Sequence, residues 1–173
     1  MIAAQPLARL PVGVIVECRK AVSRWIDHIW LPVAVLEGVP DTPPWSALRS
    51  EADSTTYYAG PCDIELFPTE TSKYRNNLGS HMPALWVVMR QSSGEPPFEI
   101  VLVTANPDEG EALTQSGSDI VEPVPMPVMV REVIAAFVAE HPVEETFFKR
   151  QRDRADPEAF GRRERRSKEV RDE

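Results

Sequence analysis

Leu85-Trp86-Val87-Val88-Met89-Arg90, then Gln91 to Pro97, then Phe98-Glu99-Ile100-Val101-Leu102-Val103-Thr104 is the stretch on which the fold turns. Side chains alternate across an extended chain, so Leu85, Val87 and Met89 share one face of a first strand. By the same period, Phe98, Ile100 and Leu102 share one face of a second. Ser92-Ser93-Gly94 and the prolines at 96 and 97 supply turn chemistry between them. The two runs therefore read as a hairpin, and a hairpin makes an antiparallel sheet.

On the C-terminal side, Asn106-Pro107-Asp108-Glu109 is a helix start. Asparagine caps, proline occupies the first turn where its missing N–H is harmless, and Glu109 takes the capping-box position. That helix ends before Gly117. Ile120 to Glu122 reads as a short strand, and Pro123, Pro125 and Pro127 keep the chain extended. Val130, Val133, Ile134, Phe137 and Val138 recur with helical period and predict an amphipathic helix buried along that stripe. Pro142 interrupts it, and Val143 to Arg154 reads as a further helix.

On the N-terminal side, Val12, Val14, Val16 and Cys18 alternate as a half-buried strand. Trp25 to Leu36 is extended, with Pro32 marking an edge strand or a bulge. Residues 38–56, rich in Gly, Pro, Ser, Thr and Asp, read as one long loop. Tyr58, Cys62, Ile64 and Leu66 give a strand ending at Pro68. A short helix is expected over Glu70 to Leu78, with Thr69 as N-cap and Gly79 at its end. Strands that neighbour one another and helices that do not alternate with them predict an α+β fold. The expected sheet is mainly antiparallel, of five or six strands, with helices packed on it and a charged C-terminal helix or tail. The expected layout is an N-terminal arm at 1–10, a single α+β domain at 11–154 and a charged tail at 155–173.

The 173 residues suit one domain with its own core. Net charge is −8, unevenly placed. Residues 149–173 hold ten of the 19 Lys and Arg and seven of the 27 Asp and Glu; nine bases and 20 acids remain over 1–148. So acidic a body repels a phosphate backbone, and nucleic acid is not an expected partner. No apolar run has the length of a membrane span, and Met1 to Leu10 does not read as a signal peptide, so a cytoplasmic location is expected.

The chemistry-bearing residues are dispersed. His28, His81 and His141 have no second ligand at metal spacing, and Cys18 and Cys62 read as small buried hydrophobes; no metal or cofactor is expected. Neither Gly-x-Ser-x-Gly nor a phosphate-binding glycine loop occurs. Asp63/Glu65 and Glu144/Glu145 belong to a generally acidic surface. Two segments invite a partner instead. Glu70, Lys73, Tyr74, Arg75 and Asn77 concentrate polar groups and a ring on a helix with a thin apolar face. Phe147, Phe148, Lys149 and Arg150 set a basic run directly after two aromatics, which suits an acidic partner.

Several segments together carry a resemblance. They are Pro11-Val12-Gly13-Val14, Trp30-Leu31-Pro32-Val33-Ala34-Val35-Leu36, Glu70 with Tyr74-Arg75-Asn76-Asn77-Leu78, and Pro97-Phe98-Glu99, followed by Ile120-Val121-Glu122-Pro123-Val124-Pro125-Met126-Pro127 and Val143 to Arg150. In this order, over roughly 8–154, they resemble a family of small proteobacterial proteins encoded beside molybdenum-dependent formate dehydrogenase genes. Its members are often labelled molybdopterin-guanine dinucleotide biosynthesis protein A. That label implies guanylyl transfer, yet the first strand carries only Gly13 and runs into Glu17-Cys18-Arg19, without a glycine-rich loop for a nucleotide. The resemblance implies a formate dehydrogenase or molybdenum-cofactor context. With the lack of catalytic motifs and the acidic body with its polar helix and aromatic-basic terminus, the expected function is a non-catalytic accessory protein for maturation or assembly of a molybdenum-dependent formate dehydrogenase. A dehydrogenase subunit or a molybdenum-cofactor protein would be its partner. The alternatives are a nucleotidyl-transfer enzyme of cofactor biosynthesis, or a small-ligand binding domain with the 38–56 loop as lid.

Overall fold

A computed structural model describes residues 5–142, and the segments expected at 143–154 and 155–173 lie outside the described residues. The elements in chain order are β1 (Ala8–Lys20), β2 (His28–Glu37), β3 (Ser46–Ser50), β4 (Ser54–Leu66) and a 3₁₀ turn (Pro68–Glu70). There follow α1 (Thr71–Leu78), β5 (Ala84–Gln91), β6 (Phe98–Thr104), α2 (Pro107–Ser116), β7 (Ile120–Pro125) and α3 (Val128–Glu140). The class is α+β, as expected.

The sheet departs from the expectation in strand number and in form. Among the described residues seven strands take part, ordered β2-β1-β4-β6-β5-β7, with β3 added to β4. The pairing of β4 with β6 is parallel at Ile64 and Val103, so the sheet is mixed. It also curls like a barrel until β2 comes alongside β7. A parallel neighbour requires a crossover, and here the chain makes it through α1 and β5. Such a pairing joins residues almost forty positions apart, and no local pattern announces it.

Val12, Val14 and Val16 of β1 face the interior, together with Ile64, Leu66, Leu85, Val87, Met89 and Val103. The helices do not all cover one side of the sheet. α1 and α3 touch each other, and Tyr74, Val130, Ile134, Phe137 and Val138 from them join this interior core. α2 instead lies against the other face of β5 and β7. There Gly110 sits so close to Trp86 that a Cβ would lie 2.2 Å from the indole ring. At the end of the barrel where β1 turns into β2, Trp30, Trp45, Tyr57 and Phe98 form a ring cluster. Trp30 stacks on Tyr57 at 5.5 Å and meets Phe98 at 5.8 Å.

Several local expectations change in detail. β3 and the start of β4 occupy part of the stretch read as a loop; β3 is a short, largely exposed edge strand with too little apolar alternation to show itself. What remains of that loop packs down hard: Pro40 lies against Gly13 and Pro44 against Gly60, where any Cβ would crowd them. Pro32 accompanies a register shift in β2, and β2 ends the hydrogen-bonded order, so both readings of that proline hold. In β6 a shift at Val101 puts Val103, not Leu102, in the core with Ile100 and Phe98. Thr69 does not cap α1; it lies in the 3₁₀ turn, and Glu70 precedes the helix without a side-chain cap. Gly79 keeps a right-handed φ of −82°. Asn106 does cap α2, accepting from the backbone N–H groups of Asp108 and Glu109, and Gly117 closes the helix at φ 68°. Val133 is 41% exposed, although Val130, Ile134 and Phe137 beside it are buried. Cys18 and Cys62 are half-buried, not buried.

Candidate functional site

α1 and Glu70 just before it hold five of the residues singled out in the sequence, and they do different things. Tyr74 is fully buried; its hydroxyl accepts from the Phe67 N–H at 3.1 Å and donates to Glu70 Oε2 at 3.0 Å. Burial, with the Glu70 carboxylate beside it, pushes this phenol well above its usual range. Asn77 is a clamp: Nδ2 donates to the Ala84 and Ala105 carbonyls, both at 2.8 Å, and Oδ1 accepts from the Ala84 N–H at 3.0 Å. Thus Glu70, Tyr74 and Asn77 tie α1 to the strands. Lys73 pairs with Asp108 at 2.6 Å, linking α1 to α2. Arg75 is exposed. Phe147, Phe148, Lys149 and Arg150 lie outside the described residues.

The Asn77 clamp fixes more than the helix. By holding Ala84 and the end of β6 against α1, it sets the position of the Ser80-His81-Met82-Pro83 turn, which forms one wall of a cleft of about 690 Å³. Register explains the floor. Trp86 pairs with Pro123 and Ala84 with Pro125, so these four point out from the sheet while Leu85 and Val124 point in. Pro107 and Glu111 of α2 form the second wall, and Met126 and Arg131 close the end nearest α3. The result is an apolar floor of indole and prolines with polar groups on its rim: Asn76, Ser80, His81, Glu111 and Arg131. Met82 stands 71% exposed at its edge.

This arrangement was not visible in the sequence, because the cleft draws on four separated segments. In the sequence, the proline spacing Pro123-Val124-Pro125 shows only that the chain is kept extended. In an edge strand that same spacing also leaves one face without ordinary side chains, which is the floor of a cleft.

Elsewhere, Cys18 lines a small hollow with His28 and Asp53. Its thiol is pushed up by burial and then by Glu17, the reverse of an activated nucleophile. Cys62 is likewise raised, chiefly by burial. His141 packs its ring on Phe137 at 4.7 Å. Among the described residues no group of three or more His, Cys, Asp or Glu could hold a metal ion. No described helix is long and apolar enough to cross a membrane.

A family model described as protein of unknown function (DUF3305) matches residues 11–152. No curated protein and no solved structure matches the chain.

Proposed function

We propose that this chain, which belongs to the DUF3305 family, is an accessory binding protein that receives an extended segment of a partner in the cleft between α1, α2 and β7. One observation carries the reading: an apolar floor of Trp86, Pro123, Pro125 and Met126, framed by a polar rim, in a cleft of about 690 Å³. Indole and proline surfaces bind extended apolar or proline-containing chain with little loss of side-chain freedom, since neither has much freedom to lose. The rim offers acceptors and donors of both signs, Glu111 and Arg131, which orient a peptide backbone and select charge at its ends.

The partner belongs to the maturation or assembly of a molybdenum-dependent formate dehydrogenase. What supports this is the likeness of the Trp30–Leu36, Tyr74–Leu78 and Ile120–Pro127 segments to proteins encoded beside such enzymes. The third of these segments is the cleft floor itself. The test is a titration of the purified full chain with a purified formate dehydrogenase catalytic subunit. Binding is expected, and Met82→Asp and Arg131→Glu are each expected to weaken it about tenfold or more, as charge reversal or insertion at a buried contact does. Both residues line the rim, so the melting temperature should hold. Absence of binding, or binding indifferent to both variants, would contradict the proposal.

A further inference from the structure

The tip of the β1–β2 hairpin has a composition unlike the rest of the surface. Ala21-Val22-Ser23-Arg24-Trp25-Ile26-Asp27 joins the two strands, and the turn is closed by the Ala21 N–H donating to the Asp27 carbonyl at 3.0 Å. At its end Val22 and Trp25 are 105% and 93% exposed and Ile26 is 56% exposed. Three large apolar side chains at one protruding turn contribute nothing to the core, and their exposure costs solvation in the free protein. Arg19, Lys20 and Arg24 flank them, all exposed. The nine bases of residues 1–148 stand against 20 acids, so one-third of the body's positive charge sits on this turn or directly beside it.

We propose that this hairpin tip docks on an anionic lipid bilayer, with Trp25, Ile26 and Val22 entering the headgroup region and Arg19, Lys20 and Arg24 against the lipid phosphates. Three features favour a bilayer over a protein pocket. The apolar side chains of Val22 and Trp25 stand almost wholly clear of the body, as insertion into a deformable layer requires. Its single ring is an indole, the side chain that settles at membrane–water interfaces. The acidic body would be repelled by a negative surface in most orientations, while a basic tip is attracted, so the charge pattern itself orients the molecule tip first. Residues 19–27 carry three bases against one acid, Asp27; the neighbouring β3–β4 turn, whose Asp53 carbonyl accepts from the Lys20 N–H at 2.8 Å, adds Asp53 and Glu51, the latter paired with Arg49. The contact is peripheral and independent of the α1/α2/β7 cleft.

Co-sedimentation of the full chain with phosphatidylcholine vesicles, with and without phosphatidylglycerol, tests this. The chain should pellet with the anionic vesicles and not with phosphatidylcholine alone, and about 1 M salt, where the screening length is about 3 Å, should release most of it. Each base near such a surface is worth about fivefold in partitioning, so Arg19→Ala with Arg24→Ala should weaken it about 25-fold. Trp25→Ser with Ile26→Ser should reduce pelleting to the uncharged-vesicle level at unchanged melting temperature. Trp25→Phe should keep most of the pelleting but lose the blue shift of tryptophan emission seen with vesicles. No pelleting with anionic vesicles, or pelleting that the tip variants leave unchanged, would overturn the proposal. Loss of binding to a dehydrogenase subunit in the Trp25→Ser, Ile26→Ser variant, without any vesicle binding by the parent, would overturn it in favour of a protein-docking tip.

Discussion

Replacing Asn77 with alanine removes one side-chain amide and strands three backbone groups: the Ala84 carbonyl and N–H and the Ala105 carbonyl. Ala105 is 1% exposed, so its carbonyl has no route to water, and leaving it unpaired costs about 1–3 kcal/mol. The Ala84 groups border the cleft, where water reaches them, and each loses only about 0.5–1 kcal/mol. The sum is roughly 2–5 kcal/mol, and at about 2–4 °C per kcal/mol for a chain of this size the melting temperature should fall by about 4–20 °C. Asn77→Asp separates hydrogen bonding from packing. It preserves the shape of the side chain but places a carboxylate oxygen where Nδ2 faced two carbonyls, so at pH 7 it should destabilise at least as much as alanine. Thermal unfolding followed by circular dichroism reads both variants. If Asn77→Asp stays within about 0.5 kcal/mol of the parent, or is clearly milder than Asn77→Ala, the clamp is a matter of volume and the reasoning fails.

Three further perturbations follow from the same packing. Gly110→Ala must push its Cβ into the Trp86 indole, 2.2–2.6 Å away; it should cost about 1–3 kcal/mol and alter tryptophan emission, and an unchanged melting temperature would contradict the close approach of α2. Tyr58 is buried and its hydroxyl has no hydrogen-bond partner among the described residues, so Tyr58→Phe should be neutral or stabilising by up to about 1 kcal/mol in a denaturant titration, where a clear loss would reveal a missing partner. Arg90, through its hydrogen bonds to both Asp119 oxygens at 3.0 and 2.9 Å, holds that carboxyl below the usual range. A carboxyl depressed in the folded state stabilises above its unfolded pKa of about 3.9 and loses that contribution as pH falls further. The stability difference between the parent and Asp119→Asn should therefore be present at neutral pH and shrink below about pH 4; a difference constant from neutral to strongly acidic pH would remove the ion pair from the account.

Much of the fold was legible because its signals are local. Period-two alternation gave β1 and the β5–β6 hairpin, and Asn106-Pro107 with Gly117 bracketed α2. What could not be read depends on contacts between distant segments. The parallel β4–β6 pairing and the approach of β2 to β7 have no sequence period, and a single shift at Val101 exchanged Leu102 for Val103 in the core. The polar side chains of α1 misled for a physical reason. Tyr74 and Asn77 read as part of a partner-binding patch because they carry polar groups, whereas both are buried and use their polar atoms on backbone groups that the fold strands there. The cleft was legible only in its proline floor.

The most direct measurement of the central claim is site-specific photocrosslinking to a purified formate dehydrogenase catalytic subunit. A photoreactive amino acid is placed at Met82, at the edge of the cleft, and in a second protein at Val101, exposed on β6 away from it. The account predicts an adduct from position 82, suppressed by Arg131→Glu in the same chain, and none from position 101. No adduct from position 82, or equal adducts from both positions, would contradict it.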